Sequence, residues 1–220
     1  MTEDTTVPAP QRTPFLRTKT GTILKICLVM ILLQGLRELA VHLFTPLFPN
    51  SLFSEQMLNM GAMILLADGL IVFAAVFKRE FTLFPACFTW PYAAATAVTA
   101  ILYILSPENY TVGIRAVLLL IYGSIVIPGY EELLFRGLIW NACARVMEDE
   151  KKVYLWNVLF FTLWHLGYIG PQLLAGNRAA VLGKLAAGLG YGLVLGFVRL
   201  KTKNCYACIL LHGVLNLFMV

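Results

Sequence analysis

Two adjacent glutamates and two of the three histidines of this chain lie inside stretches apolar enough to span a membrane. They occur in Glu131-Glu132-Leu133-Leu134-Phe135-Arg136, Phe161-Thr162-Leu163-Trp164-His165 and His212-Gly213-Val214-Leu215-Asn216. An ionisable side chain in hydrocarbon costs at least a few kcal/mol, so such residues are rare and point to function. Brought together, two carboxylates, two imidazoles, a guanidinium and an amide make the inventory of a hydrolytic site.

Spacing suggests how the roles divide. On a helix Glu132 and Arg136 are four apart and share a face. Glu131 points about 100° away. One carboxylate is then neutralised by Arg136, and the other is left to take a proton from water. His165 is placed to orient or share that water. His212 and Asn216, again four apart, offer the two side-chain donors that an oxyanion needs. The same residues also spell a second chemistry. Glu131, His165 and His212 make a His₂Glu zinc set with water as fourth ligand. The reading adopted is a site without a tightly bound metal or other cofactor, zinc being the alternative. Each motif also has a plainer meaning, since a Glu–Arg pair or a lone histidine in a span often serves only to hold helices together.

Other intramembrane protease chemistries lack their residues. No histidine is followed by glutamate, so H-E-x-x-H is absent. An aspartyl site needs two aspartates within the membrane, and only Asp68 lies in an apolar run. Gly123 directly precedes Ser124, so the G-x-S spacing fails.

The elements that must position these residues are membrane helices. Of 220 residues 59% are hydrophobic and 13% charged, against roughly 25% charge in a soluble domain. Continuous apolar runs fall at about 24–44, 56–77, 85–105, 112–130 (continuing towards 145), 153–169, 179–198 and 204–220. The fold class expected is an all-α, polytopic transmembrane bundle of about seven spans, with a polar tail over 1–23 and one helical domain over 24–220.

The net charge of +5 does not indicate nucleic acid, because its basic residues sit between apolar runs. Arg12, Arg17, Lys19 and Lys25, then Lys78 and Arg79, then Arg145, Lys151 and Lys152, then Arg199, Lys201 and Lys203 alternate with loops almost free of Lys and Arg. This pattern predicts a cytoplasmic N-terminus and an outer C-terminus. Counted from the cytoplasmic ends at about 1.5 Å per residue, Glu131, His165, His212 and Asn216 lie at depths of roughly 12–20 Å, within one slab of the bilayer. Pro128-Gly129, just before the glutamates, should open the helix and free backbone groups that need a partner.

Other features read as structural. Gly188, Gly192 and Gly196 form a small-residue face suited to close helix packing. Arg37 and Asp68 fall mid-span and suggest an interhelical pair. His42 reads as interfacial. The five cysteines form no disulfide framework, and Cys205-Tyr206-Ala207-Cys208 reads as buried thiols.

Taken in order, E-E-x-x-x-R, F-x-x-x-H and H-x-x-x-N on successive membrane helices resemble the CPBP family, the CAAX protease and bacteriocin-processing (Abi) group that includes the Ras-converting CAAX endopeptidases. The resemblance covers about Val117 to the C-terminus. It implies an intramembrane endopeptidase reached from the cytoplasmic side. By matching motif positions it makes Glu131 the catalytic glutamate, His165 its water-activating partner, and His212 and Asn216 the oxyanion residues, with Glu132 and Arg136 in support. Phe161 keeps the aromatic of the second motif. The partners expected are membrane lipid and a peptide or protein substrate, and the location a bacterial plasma membrane. A non-catalytic immunity factor or scaffold of the same fold is the alternative, and a proton-relaying transporter a weaker one.

Overall fold

The computed structural model describes residues 18–77, 82–107, 113–169 and 173–219. Among them all regular structure is helical. Seven rods follow the apolar runs in order: α1 (Lys19–Phe44), α2 (Leu52–Val76), α3 (Trp90–Leu105), α4 (Ile114–Ala144), α5 (Glu150–Trp164), α6 (Arg178–Thr202) and α7 (Tyr206–Met219). Four of them, α1, α2, α4 and α6, are long and apolar enough to cross a membrane, while α3 and α7 are apolar but shorter. Of the basic residues used for orientation, Arg12, Arg17, Lys78 and Arg79 lie outside the described residues.

Local chemistry sets the helix starts. Thr18, Ser51, Asp149 and Asn177 each accept a bond from an amide in the first turn that follows, the N-cap arrangement. Thr18 moves the start of α1 to Lys19, ahead of the expected boundary at 24. Pro91 does the reverse for α3. Proline is favoured in a helix's first turn, where it needs no N–H partner, so α3 begins at Trp90 and not at 85. The segment before it stays non-helical, and its Thr82 and Leu83 carbonyls accept the Cys205 and Tyr206 amides at 2.9 Å. Two orphan donors at the entry to α7 are thereby satisfied.

The helix carrying the glutamates is the most enclosed. About 39% of the apolar window of α4 is buried, against 22% in α1, α2 and α6. The outer helices instead present Leu24, Ile31, Leu65, Val72 and Phe197 outward, as lipid-facing surfaces do. The core against α4 is built from Met63, Tyr130, Leu134, Phe135, Phe160, Phe161 and Trp164.

Glycines bring α6 onto α5. A Cβ on Gly196 would lie 2.9 Å from the Tyr154 ring, one on Gly192 3.3 Å from Val158, and one on Gly188 2.9 Å from His165 Nδ1. The glycine face is thus a packing surface, as its spacing predicts, and its Gly188 end makes room for a site histidine.

Rod α4 is not a uniform helix. α-Helical Ile114–Ile121, Ile127–Glu132 and Trp140–Ala144 alternate with π-helical Tyr122–Val126 and Leu133–Ile139. In the first π segment the Ile127 amide reaches back five residues to the Tyr122 carbonyl. The next residue, Pro128, has no N–H. It would have served the Gly123 carbonyl in π register or the Ser124 carbonyl in α register. Those two carbonyls take side-chain donors instead: Asn216 Nδ2 donates to Gly123 O and Tyr103 Oη to Ser124 O, both at 2.7 Å. The freed backbone groups anticipated at Pro128-Gly129 therefore find protein partners. In the second segment the Trp140 amide is shared between the Phe135 and Gly137 carbonyls and passes over that of Arg136. Asn157 Nδ2 donates to Phe135 O at 2.7 Å, and Arg199 Nε to Arg136 O at 2.9 Å.

Two sequence expectations need correction. Arg37 pairs with Glu38, its neighbour on α1, and Asp68 is exposed on α2. A carboxylate one residue away needs no second helix to be in register. Arg199 is not a loop charge. It is 4% exposed on α6, because its guanidinium has acceptors inside the bundle.

Candidate active site

The two glutamates at the α–π junction of α4 have opposite surroundings. Glu132 is fully buried, and its Oε1 accepts both Arg136 Nη1 at 3.1 Å and His212 Nδ1 at 2.8 Å. The i,i+4 pairing read from spacing is present, and a histidine from α7, 80 positions along the chain, completes it. Among the described residues Glu132 Oε2 has no hydrogen-bond partner. Glu131, 3% exposed, turns to α5, where Trp164 Nε1 donates to its Oε1 at 3.2 Å. One carboxylate is thus held between two cationic or cationisable groups, and its neighbour faces the end of the helix that carries His165.

His165 closes α5. Its Nδ1 lies 2.8 Å from the Phe161 carbonyl. A carbonyl can only accept, so the proton is on Nδ1 and Nε2 is the basic nitrogen. Gly188 leaves the space that the ring occupies. Phe161 explains the aromatic of the second motif. The Arg136 guanidinium sits 4.2 Å over its ring centre, and its edge meets both His165 at 4.9 Å and His212 at 6.2 Å. A single ring spaces the cation from both imidazoles while its quadrupole stabilises the cation.

His212 and Asn216 share a face of α7, as their spacing predicts. Both are already bonded. His212 Nδ1 is given to Glu132. Asn216 donates to Gly123 O and accepts Tyr191 Oη at 3.0 Å. Among the described residues no group of three or more His, Cys, Asp or Glu side chains has metal-holding geometry. Glu131, His165 and His212 do not form such a group as the side chains stand.

Sequence reasoning missed Trp164, Tyr191 and Gln34. Trp164 carried a signal, since an indole buried in a membrane helix needs an acceptor for its N–H. Tyr191 did not stand out within the glycine face, yet its ring packs 5.1 Å from His212. Gln34, on α1, donates from Nε2 to the Trp164 carbonyl at 3.1 Å, and a Cβ on Gly167 would lie 2.5 Å from that nitrogen.

Residues 113–218 match the family model described as type II CAAX prenyl endopeptidase Rce1-like. This half of the chain is of that family. No curated protein and no solved structure matches the chain. The Rce1-like segment contains all of α4 to α6 and nearly all of α7, and so every residue of the three motifs. The family is one of CAAX-type intramembrane endopeptidases, and four helices of the chain are long and apolar enough to cross a membrane.

Proposed function

We propose that this protein hydrolyses a peptide bond of a membrane-associated peptide or protein, with Glu131 as the general base. The observation that carries this reading is the division of labour between the glutamates. Glu132 is bonded to Arg136 and His212, whereas Glu131 is buried beside Trp164 and the end of α5. Glu131 takes a proton from water, and the resulting hydroxide attacks the carbonyl carbon. The tetrahedral oxyanion collapses, and the proton passes from Glu131 to the departing amine. His165, with Nδ1 committed to Phe161, offers Nε2 to the other hydrogen of that water. His212, whose Nδ1 is bonded to Glu132, supplies Nε2 as a donor to the oxyanion. The donor arrangement supports water activated by a carboxylate rather than a three-ligand metal. Zinc binding in stoichiometric amount, with chelator inactivation reversed by zinc, would overturn that choice.

The topology proposed is a cytoplasmic N-terminus in a bacterial plasma membrane. Cysteines placed at 106–111 should label from outside, and cysteines at 148–152 from the cytoplasm. Substrates of CAAX type or bacteriocin-type peptides both suit a site within the bilayer.

One observation favours the alternative of a non-catalytic scaffold or immunity factor. The Asn216 amide, expected at the oxyanion, is bonded to Gly123 and Tyr191. Glu131→Gln decides between the two. It keeps shape and hydrogen bonding, so the variant should fold normally and lose about 10²-fold or more in cleavage. A well-folded Glu131→Gln protein with undiminished biological function would favour the scaffold.

A further inference from the structure

The second π segment of α4 holds Arg136 and directly follows Glu131 and Glu132. In lipid an α-to-π change of register is unfavourable unless each displaced carbonyl finds a donor. No proline enforces it here, since residues 133–139 read Leu-Leu-Phe-Arg-Gly-Leu-Ile and every one has its N–H. The Arg136 carbonyl, passed over by the Trp140 amide, accepts instead from Arg199 on α6, and the Phe135 carbonyl, which takes that amide in π register, accepts a second bond from Asn157 on α5. Both donors are deep in the protein, Asn157 unexposed and Arg199 at 4%.

Arg199 is the more telling of the two. Among the described residues it has no carboxylate within ion-pair distance. Its remaining contacts are Asn141 Oδ1 at 3.4 Å and the face of Trp140, with its ring centre at 5.4 Å. An apolar side chain would fill the same space without desolvating a guanidinium. What the apolar side chain could not do is donate to the Arg136 carbonyl.

We propose that Asn157 and Arg199 are positioning residues, which hold residues 133–139 in π register and so keep Glu132 on His212 and Glu131 on Trp164. Neither touches the reacting groups. The cleavage part of this inference rests on the protease reading above, while its geometric part does not.

The test uses replacements chosen by reach. In Arg199→Gln the amide nitrogen is attached to Cδ, as Nε is in arginine, so a donor to Arg136 O remains. Arg199→Met has the same length and no donor. Asn157→Leu removes the other donor at similar shape. The full chain in detergent, with isotope-labelled histidine, reports on the site without any substrate, because only three histidines are present. The Nδ1–H signal of His212, hydrogen-bonded to Glu132, should be lost or displaced in Arg199→Met and Asn157→Leu and retained in Arg199→Gln. An unchanged signal in a folded Arg199→Met protein overturns the proposal, as does equal displacement in Arg199→Gln. If Arg199→Met fails to fold, Asn157→Leu against wild type decides by the same signal.

Cleavage gives a second readout. In Arg199→Met kcat should fall about 10- to 100-fold with KM nearly unchanged, the mark of misplaced catalytic groups, and Arg199→Gln should recover most of it. A fall in KM and kcat together, or no recovery, overturns the proposal. If wild-type protein cleaves no membrane peptide, the protease reading fails, and the histidine signal still decides on the positioning role.

Discussion

In the first π segment of α4, around Tyr122–Val126, the sequence itself removes a donor. Pro128 has no N–H, so the Gly123 carbonyl in π register or the Ser124 carbonyl in α register lacks its donor, and Asn216 and Tyr103 donate to these two. In the second segment, Leu133–Ile139, no donor is missing, and the register is held from outside by Asn157 and Arg199. The four donors come from four different helices, α7, α3, α5 and α6. Both devices give the same result, an irregular buried helix whose carbonyls at each π segment accept side-chain donors from neighbouring helices. They differ in what sustains them. The first is written into the backbone at Pro128, and the second depends on side chains that must be correctly packed. It is the second that adjoins the glutamates, so the geometry of the site is tied to the packing of α5 and α6.

The largest effect should come from the carboxylate beside the second segment. Glu132→Gln leaves Arg136 buried without its ion pair, which can cost about 3–5 kcal/mol. A detergent melting curve should show the loss, with activity falling in step. If Glu132→Gln is instead stable and inactive, the two carboxylates have exchanged roles. Next comes a substitution at the first segment. A Cβ on Gly213 would lie 2.0 Å from Tyr103 Oη and 2.4 Å from Ser124 O. Gly213→Ala should therefore cost about 1–3 kcal/mol by overpacking, while Gly123→Ala, which meets nothing within 4 Å, should be nearly neutral.

A double-mutant cycle separates the two devices more finely. Pro128→Ala restores an amide, so the loss on Asn216→Leu should shrink by about 1 kcal/mol in that background. The loss on Arg199→Met should be the same with or without Pro128. Equal coupling at both segments would mean that they share one mechanism. The smallest effect belongs to the exposed Lys203–Glu150 pair at 2.5 Å. Lys203→Ala should change stability by less than about 1 kcal/mol, which sets the scale for ion pairs outside the core.

The apolar runs, their order and the Glu132–Arg136 pairing were legible because each depends on local pattern. The gap at Pro128 was legible because a missing N–H is a property of one residue. The π segments were not, since α and π registers share the same apolar sequence and differ only in which carbonyl each amide chooses. The His212–Glu132 bond was not, because it joins residues on helices whose rotation the sequence does not fix. Arg199 was misread for a related reason. Placed at the basic end of an apolar run, it has the appearance of a topology signal, and only the neighbouring Arg136 carbonyl explains its burial.

Gln34 has a consequence for how such proteins divide into parts. The family match begins at residue 113, yet the amide that reaches the end of α5 comes from α1. The edge of sequence kinship and the edge of the mechanical unit are therefore different. Residues 113–218 contain every motif side chain but not the donor seated over Gly167 on the Trp164 carbonyl, one residue before His165. A chimera that grafts this half onto a foreign N-terminal helix would have to reproduce that one contact, or His165 would lose its brace while every motif stayed intact.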